Sequence, residues 1–156
     1  MASQNQPLDE INWSNPRFVQ TVGIHENSVL HYFAESPFFD LTSNNAVINS
    51  QSQFNPAMAA SMGTRQLYEG RLKTMSGLEF MIAQEPAEMA PGMGTGVWVI
   101  RKQTRRKRQP PEEDEITVHS TYFVCGDNIY MAPTAADVIA SRFVRVSYLP
   151  RKISAD

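Results

Sequence analysis

Cysteine occurs once in this sequence, at Cys125, so no disulfide can form within the chain. That fits a reducing compartment. No apolar run approaches the roughly 20 residues that a membrane-spanning helix needs. The opening MASQNQPLDEINW has neither a basic n-region nor an apolar h-region, so no secretory leader is expected. Charge of one sign is also lacking. The net charge is −2, which excludes the molecule as a whole from polyanion binding and leaves only local patches for nucleic acid. These absences point to a soluble intracellular protein.

Sites for chemistry are equally sparse. His25, His31 and His119 are scattered, and with one cysteine no pair has metal-ligand spacing. Gly92-Met93-Gly94-Thr95-Gly96 looks superficially like a dinucleotide loop. Such a loop needs a strand before it and a helix after it, whereas this one joins two predicted strands. No G-x-S-x-G or local Cys-His signature occurs. Cys125, at a strand end, reads as a small core residue. The expectation is a protein without catalysis, cofactor or metal.

What is present suits one domain. Hydrophobic residues make up 42% of 156. A chain of this size buries roughly 70% of its unfolded surface and needs no staple. Residues 1–7 are polar and expected to form a disordered tail. Residues 8–145 read as a single α+β domain, and 146–156 as a tail of uncertain structure. Leu8, Ile11 and Trp13 make a short apolar entry that ends at Ser14-Asn15-Pro16. Phe18, Val19 and Val22 have helical spacing, and Gly23 stops them. Asn27 is a candidate N-cap for a helix over 28–35, which Ser36-Pro37 ends. Thr42 or Ser43 can cap a helix over 44–53 with Val47 and Ile48 facing in. Residues 54–63 read as a loop with at most a helical turn. Thr64 opens a helix to Met75 with Tyr68, Leu72 and Met75 on one stripe and a Glu69–Lys73 pair.

The period then changes to two. Leu78, Phe80 and Ile82 alternate with Glu79 and Met81; Val97–Gln103 and Ile116–Cys125 follow as strands. Gly126-Asp127 is a two-residue turn into the short strand Ile129–Met131. Thr134 and Asp137 resemble a capping box for a last helix, with Ala135, Val138, Ile139 and Arg142 on one face. The expected fold is N-terminal helices packed on one face of an antiparallel sheet of about four strands, followed by a C-terminal helix.

Two segments are candidate interaction sites. Residues 104–115 read as a long, flexible, exposed connection. Arg105, Arg106, Lys107 and Arg108 form a basic run, answered by Glu112, Glu113, Asp114 and Glu115. It reads as a solvated loop, a nuclear-import or partner contact, or a phosphate patch that the acids oppose. The second segment is Ser36–Asn45. It puts Phe38, Phe39 and Asp40 between two helices, then offers several capping side chains where one suffices. Asn44 and Asn45 at a helix start suggest a locked turn. Core packing and a partner contact both fit these residues. Phe39→Ala and Asn45→Ala separate the two: retained fold with lost partners marks a contact, unfolding marks core.

Several blocks in order resemble the family of subunit 6 of the Mediator complex of RNA polymerase II transcription, in its fungal form. They are Val29-Leu30-His31-Tyr32-Phe33, Ser36-Pro37-Phe38-Phe39-Asp40 running into Thr42–Asn45, Gly77-Leu78-Glu79-Phe80 with Gln84-Glu85-Pro86, Trp98–Gln103, Tyr122-Phe123-Val124, and Ile129–Pro133 with Ser141-Arg142. The resemblance implies a nuclear, non-catalytic coactivator subunit of the Mediator head module, without cofactor. It implies other head subunits as partners and RNA polymerase II indirectly. The chain departs from the family after Arg142, where Val144, Val146 and Tyr148 alternate in strand fashion instead of continuing as helix. The alternative reading is a small-molecule-binding or enzymatic α+β domain with a pocket on the concave face of the sheet. Direct DNA binding through the basic run is the least favoured.

Overall fold

The computed structural model describes residues 11–87 and 96–133. Its elements run β1 (Asn12–Ser14), α1 (Pro16–Thr21), α2 (Val29–Phe33), α3 (Asn44–Phe54), α4 (Pro56–Ser61), α5 (Arg65–Leu72), β2 (Gly77–Gln84), β3 (Trp98–Arg106), β4 (Glu115–Cys125) and β5 (Asn128–Met131). The strands form one sheet in the order β1-β5-β4-β3-β2, and all four pairings are antiparallel. The fold is α+β, with five strands instead of about four. The extra one is β1, which pairs Trp13 with Ile129. Three residues are too few to show a period of two, and the partner strand lies at the other end of the described chain. The expected helix after Pro133 and the tails at 1–7 and 146–156 lie outside the described residues, as does most of the Pro/Gly loop before β3.

Local chemistry accounts for most element ends. Pro16 starts α1, where its missing N–H is no loss, and Gly23 ends the segment at a φ of +81°. The Ser43 side chain accepts from the Ala46 N–H at the start of α3, Asn55 from Met58 at α4, and Thr64 from Leu67 at α5. Asn27 does not cap its own helix. Its Oδ1 accepts the Arg65 N–H at the first position of α5, 2.9 Å away, and so satisfies a second orphan donor there. Glu69 pairs with Arg65 at 3.2 Å rather than with Lys73.

The ladder registers sort the side chains onto two faces. Trp13, Phe80, Ile82, Ile100, Tyr122, Val124 and Ile129 share the face that the helices cover. Phe33 of α2 meets Phe80 and Tyr122 at ring distances of 4.9 and 5.0 Å, so the core is an aromatic cluster spanning both layers. Ile48, Tyr68 and Leu72 complete it from α3 and α5. Val47 does not face in; it is on the solvent side of α3. Cys125 is exposed, because its strand position points it to the face opposite Val124.

Tyr32 ties the two ends of the described chain. Its hydroxyl accepts from the Asn15 N–H at 2.8 Å and donates to the Asp127 carbonyl, while its ring packs on Trp13 and Phe18. Tyr32→Phe keeps the ring and strands both backbone partners. Thermal or urea unfolding is expected to show a loss of about 1–3 kcal/mol. A variant as stable as the parent would show that water replaces the hydroxyl at no cost.

Candidate protein-interaction site

The junction Asp40–Asn45 gives each polar side chain a separate partner. The Asp40 Oδ1 accepts from the Thr42 N–H at 2.8 Å and from the Thr42 hydroxyl at 2.6 Å, closing a tight turn. Its Oδ2 lies 3.2 Å from the Lys102 ammonium on β3. Ser43 caps α3. Asn44 donates from Nδ2 to the Ser76 carbonyl at 3.1 Å, just ahead of β2. Asn45 donates to the Phe80 carbonyl at 3.0 Å and accepts the Phe80 N–H at 2.7 Å. Its amide therefore serves the middle of β2 as one residue of a neighbouring strand would. The capping that looks redundant in sequence is four different attachments.

These attachments decide which candidates face solvent. Phe38 is buried against Phe33 and Tyr122, and Asn45 is 1% exposed. Neither leaves side-chain surface for a partner. Phe39 is half-buried and stacks on Phe80 with ring centres 5.4 Å apart. Asp40 and Asn44 are half-buried at the rim. The prominent group is Leu41, which the sequence pattern does not single out and which is 82% exposed.

The basic run is not the free connection expected from its composition. Thr104–Arg106 continue β3 and Glu115 already belongs to β4. Arg105 is buried and forks onto Glu79, with Nε to Oε1 at 3.1 Å and Nη2 to Oε2 at 2.9 Å. Glu79 is itself fully buried and also accepts from Gln103 Nε2 at 2.8 Å. Arg105 Nη1 and Lys107 Nζ both reach Asp114, at 3.2 and 2.9 Å. Arg108 pairs with Glu112 and Glu115. Arg106 alone of the run stays largely open, its side chain 78% exposed and 4.0 Å from Glu115. Sequence alternation puts Glu79 on the outer face, correctly, but does not reveal that the register seats it opposite Gln103 and two residues from the rung carrying Arg105.

Between the helices and the middle of the sheet, Phe33, Phe38, Phe80 and Tyr122 fill the space with their own rings. A cleft of about 620 Å³ lies at the end of the same face, beside α1, against Trp98, Val19, Ile24 and Pro86, with Asp127 at its wall. No described helix is long and apolar enough to cross a membrane.

Asn45→Ala removes both bonds to Phe80 and is expected to cost about 2–4 kcal/mol, counting two buried bonds with their orphaned partners. Denaturant unfolding checks this; a loss under about 0.5 kcal/mol would sink the bracing role. The acid response is a second test. Hydrogen bonds from the Thr42 hydroxyl and N–H, aided by Lys102, hold Asp40 at about 2, below its ordinary 3.8. Lys107, the Arg108 N–H and Arg105 do the same for Asp114. Lowered carboxyl values stabilise the fold above the unfolded value and lose that contribution as the pH falls through about 2. The melting temperature should decline between those limits, and Asp40→Asn with Asp114→Asn should flatten the decline.

Known proteins share this architecture. Residues 11–154 match the family model described as MED6 mediator sub complex component. A curated Mediator of RNA polymerase II transcription subunit 6 from Neurospora crassa is 61% identical over 149 residues, covering 90% of this chain and 41% of its own length. One from Emericella nidulans is 51% identical, covering 92% of this chain and 47% of its own. The chain thus spans less than half the length of these relatives. Among solved structures, a chain in the Schizosaccharomyces pombe Mediator head module superposes with a TM-score of 0.64 at 31% identity, covering 94% of this chain and 86% of that one. The Schizosaccharomyces pombe Mediator subunit Med6 gives 0.63 at 32%, with 96% and 94% covered. A family match across nearly the whole chain, joined to the same fold in these structures, leaves one assignment: the chain belongs to the family of MED6 mediator sub complex components.

Proposed function

We propose that the chain is a non-catalytic architectural module of the Mediator head assembly, acting in the nucleus to link activators to RNA polymerase II transcription. The observation that carries this reading is the match to a chain of the Schizosaccharomyces pombe Mediator head module over 94% of the residues here. The aromatic packing between the helices and the middle of the sheet supports it further. The partners are then other head subunits, with the polymerase reached through them. On the junction, Leu41 with the open edges of Phe39 and Asp40 forms the partner contact, while Phe38, Asn44 and Asn45 brace it from within. An import or partner contact through the basic run rests on Arg106, Lys107 and Arg108, because Arg105 is withdrawn into the sheet. The same acids that pair this run oppose phosphate, so direct DNA binding is disfavoured.

Co-expression of the chain with the other head subunits, followed by size exclusion, tests the proposal. Co-elution at equal stoichiometry is expected. Leu41→Asp should weaken it roughly tenfold or more while shifting unfolding by no more than about 0.5 kcal/mol. Elution of the parent chain on its own would refute the assembly role.

A further inference from the structure

We infer that the outer face of α3, continued by α4, docks an uncharged aliphatic helix of another protein. The inference rests on the head-assembly reading above and names the surface and the chemistry of its occupant.

Val47, Gln51 and Phe54 recur at i, i+4 and i+7, so they stand on one face of α3. That face is turned away from the one carrying Asn45 and Ile48 into the core. Val47 is 40% exposed, and the Phe54 ring, at the end of the helix, is 82% exposed. The chain turns at Asn55 directly into α4, which buries none of its residues. A helix this short is not stable in water by its own hydrogen bonds. It stands here against α3, with Met62 just beyond it reaching the core. The two helices leave Val47 and Phe54, with Gln51 between them, uncovered by any described residue.

Charge identifies the occupant. No residue from Leu41 to Thr64 is ionisable. Interface cores are depleted of charge, as this stretch is. A charged partner group brought here would be stripped of water with no opposite charge to meet. A ridge at i, i+4 and i+7 fits the groove of another helix, whose contacting face must be aliphatic and uncharged. A polybasic or acidic segment, or nucleic acid, finds no complement on it.

The test places p-benzoylphenylalanine at position 54 of the chain, combines it with the co-expressed head subunits, and sequences the photo-cross-linked peptides. The expected product joins position 54 to another subunit, at a segment with aliphatic residues at helical spacing and no charge facing the link. In parallel, Val47→Glu with Phe54→Glu should reduce affinity roughly 30-fold or more, with the isolated chain's melting temperature unchanged. Co-elution without a cross-link at position 54, or with one to a charged segment, would overturn the inference and leave the assembly role standing. A cross-link to a second copy of the chain would also overturn it, in favour of self-association. Failure of the parent chain to co-elute would overturn both.

Discussion

The pairing of the Asn45 amide with the backbone of Phe80 is the constraint on which the other contacts depend. It is a buried point at which the helix layer is bonded into the sheet rather than merely laid on it. Both bonds are buried, so neither exchanges cheaply with water. They fix α3 over the centre of β2, and Phe80 at that centre touches Phe33, Phe39 and Tyr122. Shifting β2 by one residue would turn Phe80 outward and lose both the bonds and the aromatic cluster. One side chain thereby sets register, layer spacing and the position of the Asp40–Asn45 turn together.

The charged end of the sheet follows a different logic. Glu79, Gln103, Arg105 and Asp114 form a chain of bonds from a fully buried carboxylate to the surface acids. A buried ion pair is weak support for stability, because desolvation offsets most of the attraction. Its clear effect is selection. Only one alignment of β2 and β3 gives Glu79 both partners, so the network opposes slippage of the hairpin. It also consumes the cation that composition alone would have offered to a polyanion.

What could be read from the residues divides by distance along the chain. Caps at Ser43 and Thr64, the stop at Gly23 and the Gly126-Asp127 turn involve groups within a few residues, and their chemistry is visible locally. The α+β order follows from the change of period at Gly77. By contrast, β1 needs Ile129 to be a strand, and Asn27 needs Arg65 to show its role. Glu79 looks solvated until its cross-strand neighbours are known. At the candidate site, the density of polar residues signals constraint, but periodicity does not tell bracing from contact. Leu41 gives no signal in the sequence, because a single leucine in a turn resembles any core residue. Val47 adjoins Ile48, and two neighbouring apolar residues on a helix lie about 100° apart, so only one can centre on the core.

The placement of β1 beside β5 bears on the order in which the molecule can be made. Trp13 pairs with Ile129, and Tyr32 bonds to both Asn15 and Asp127. A chain emerging from the ribosome presents Trp13 and Tyr32 first and must carry them without Ile129 and Asp127 until the last described hairpin follows. The hairpins β2–β3 and β3–β4 can zip as they appear, whereas the margin at β1 closes across the greatest separation and so carries the largest loop entropy. Among the described elements, Trp13 is therefore the core ring that waits longest for its strand partner.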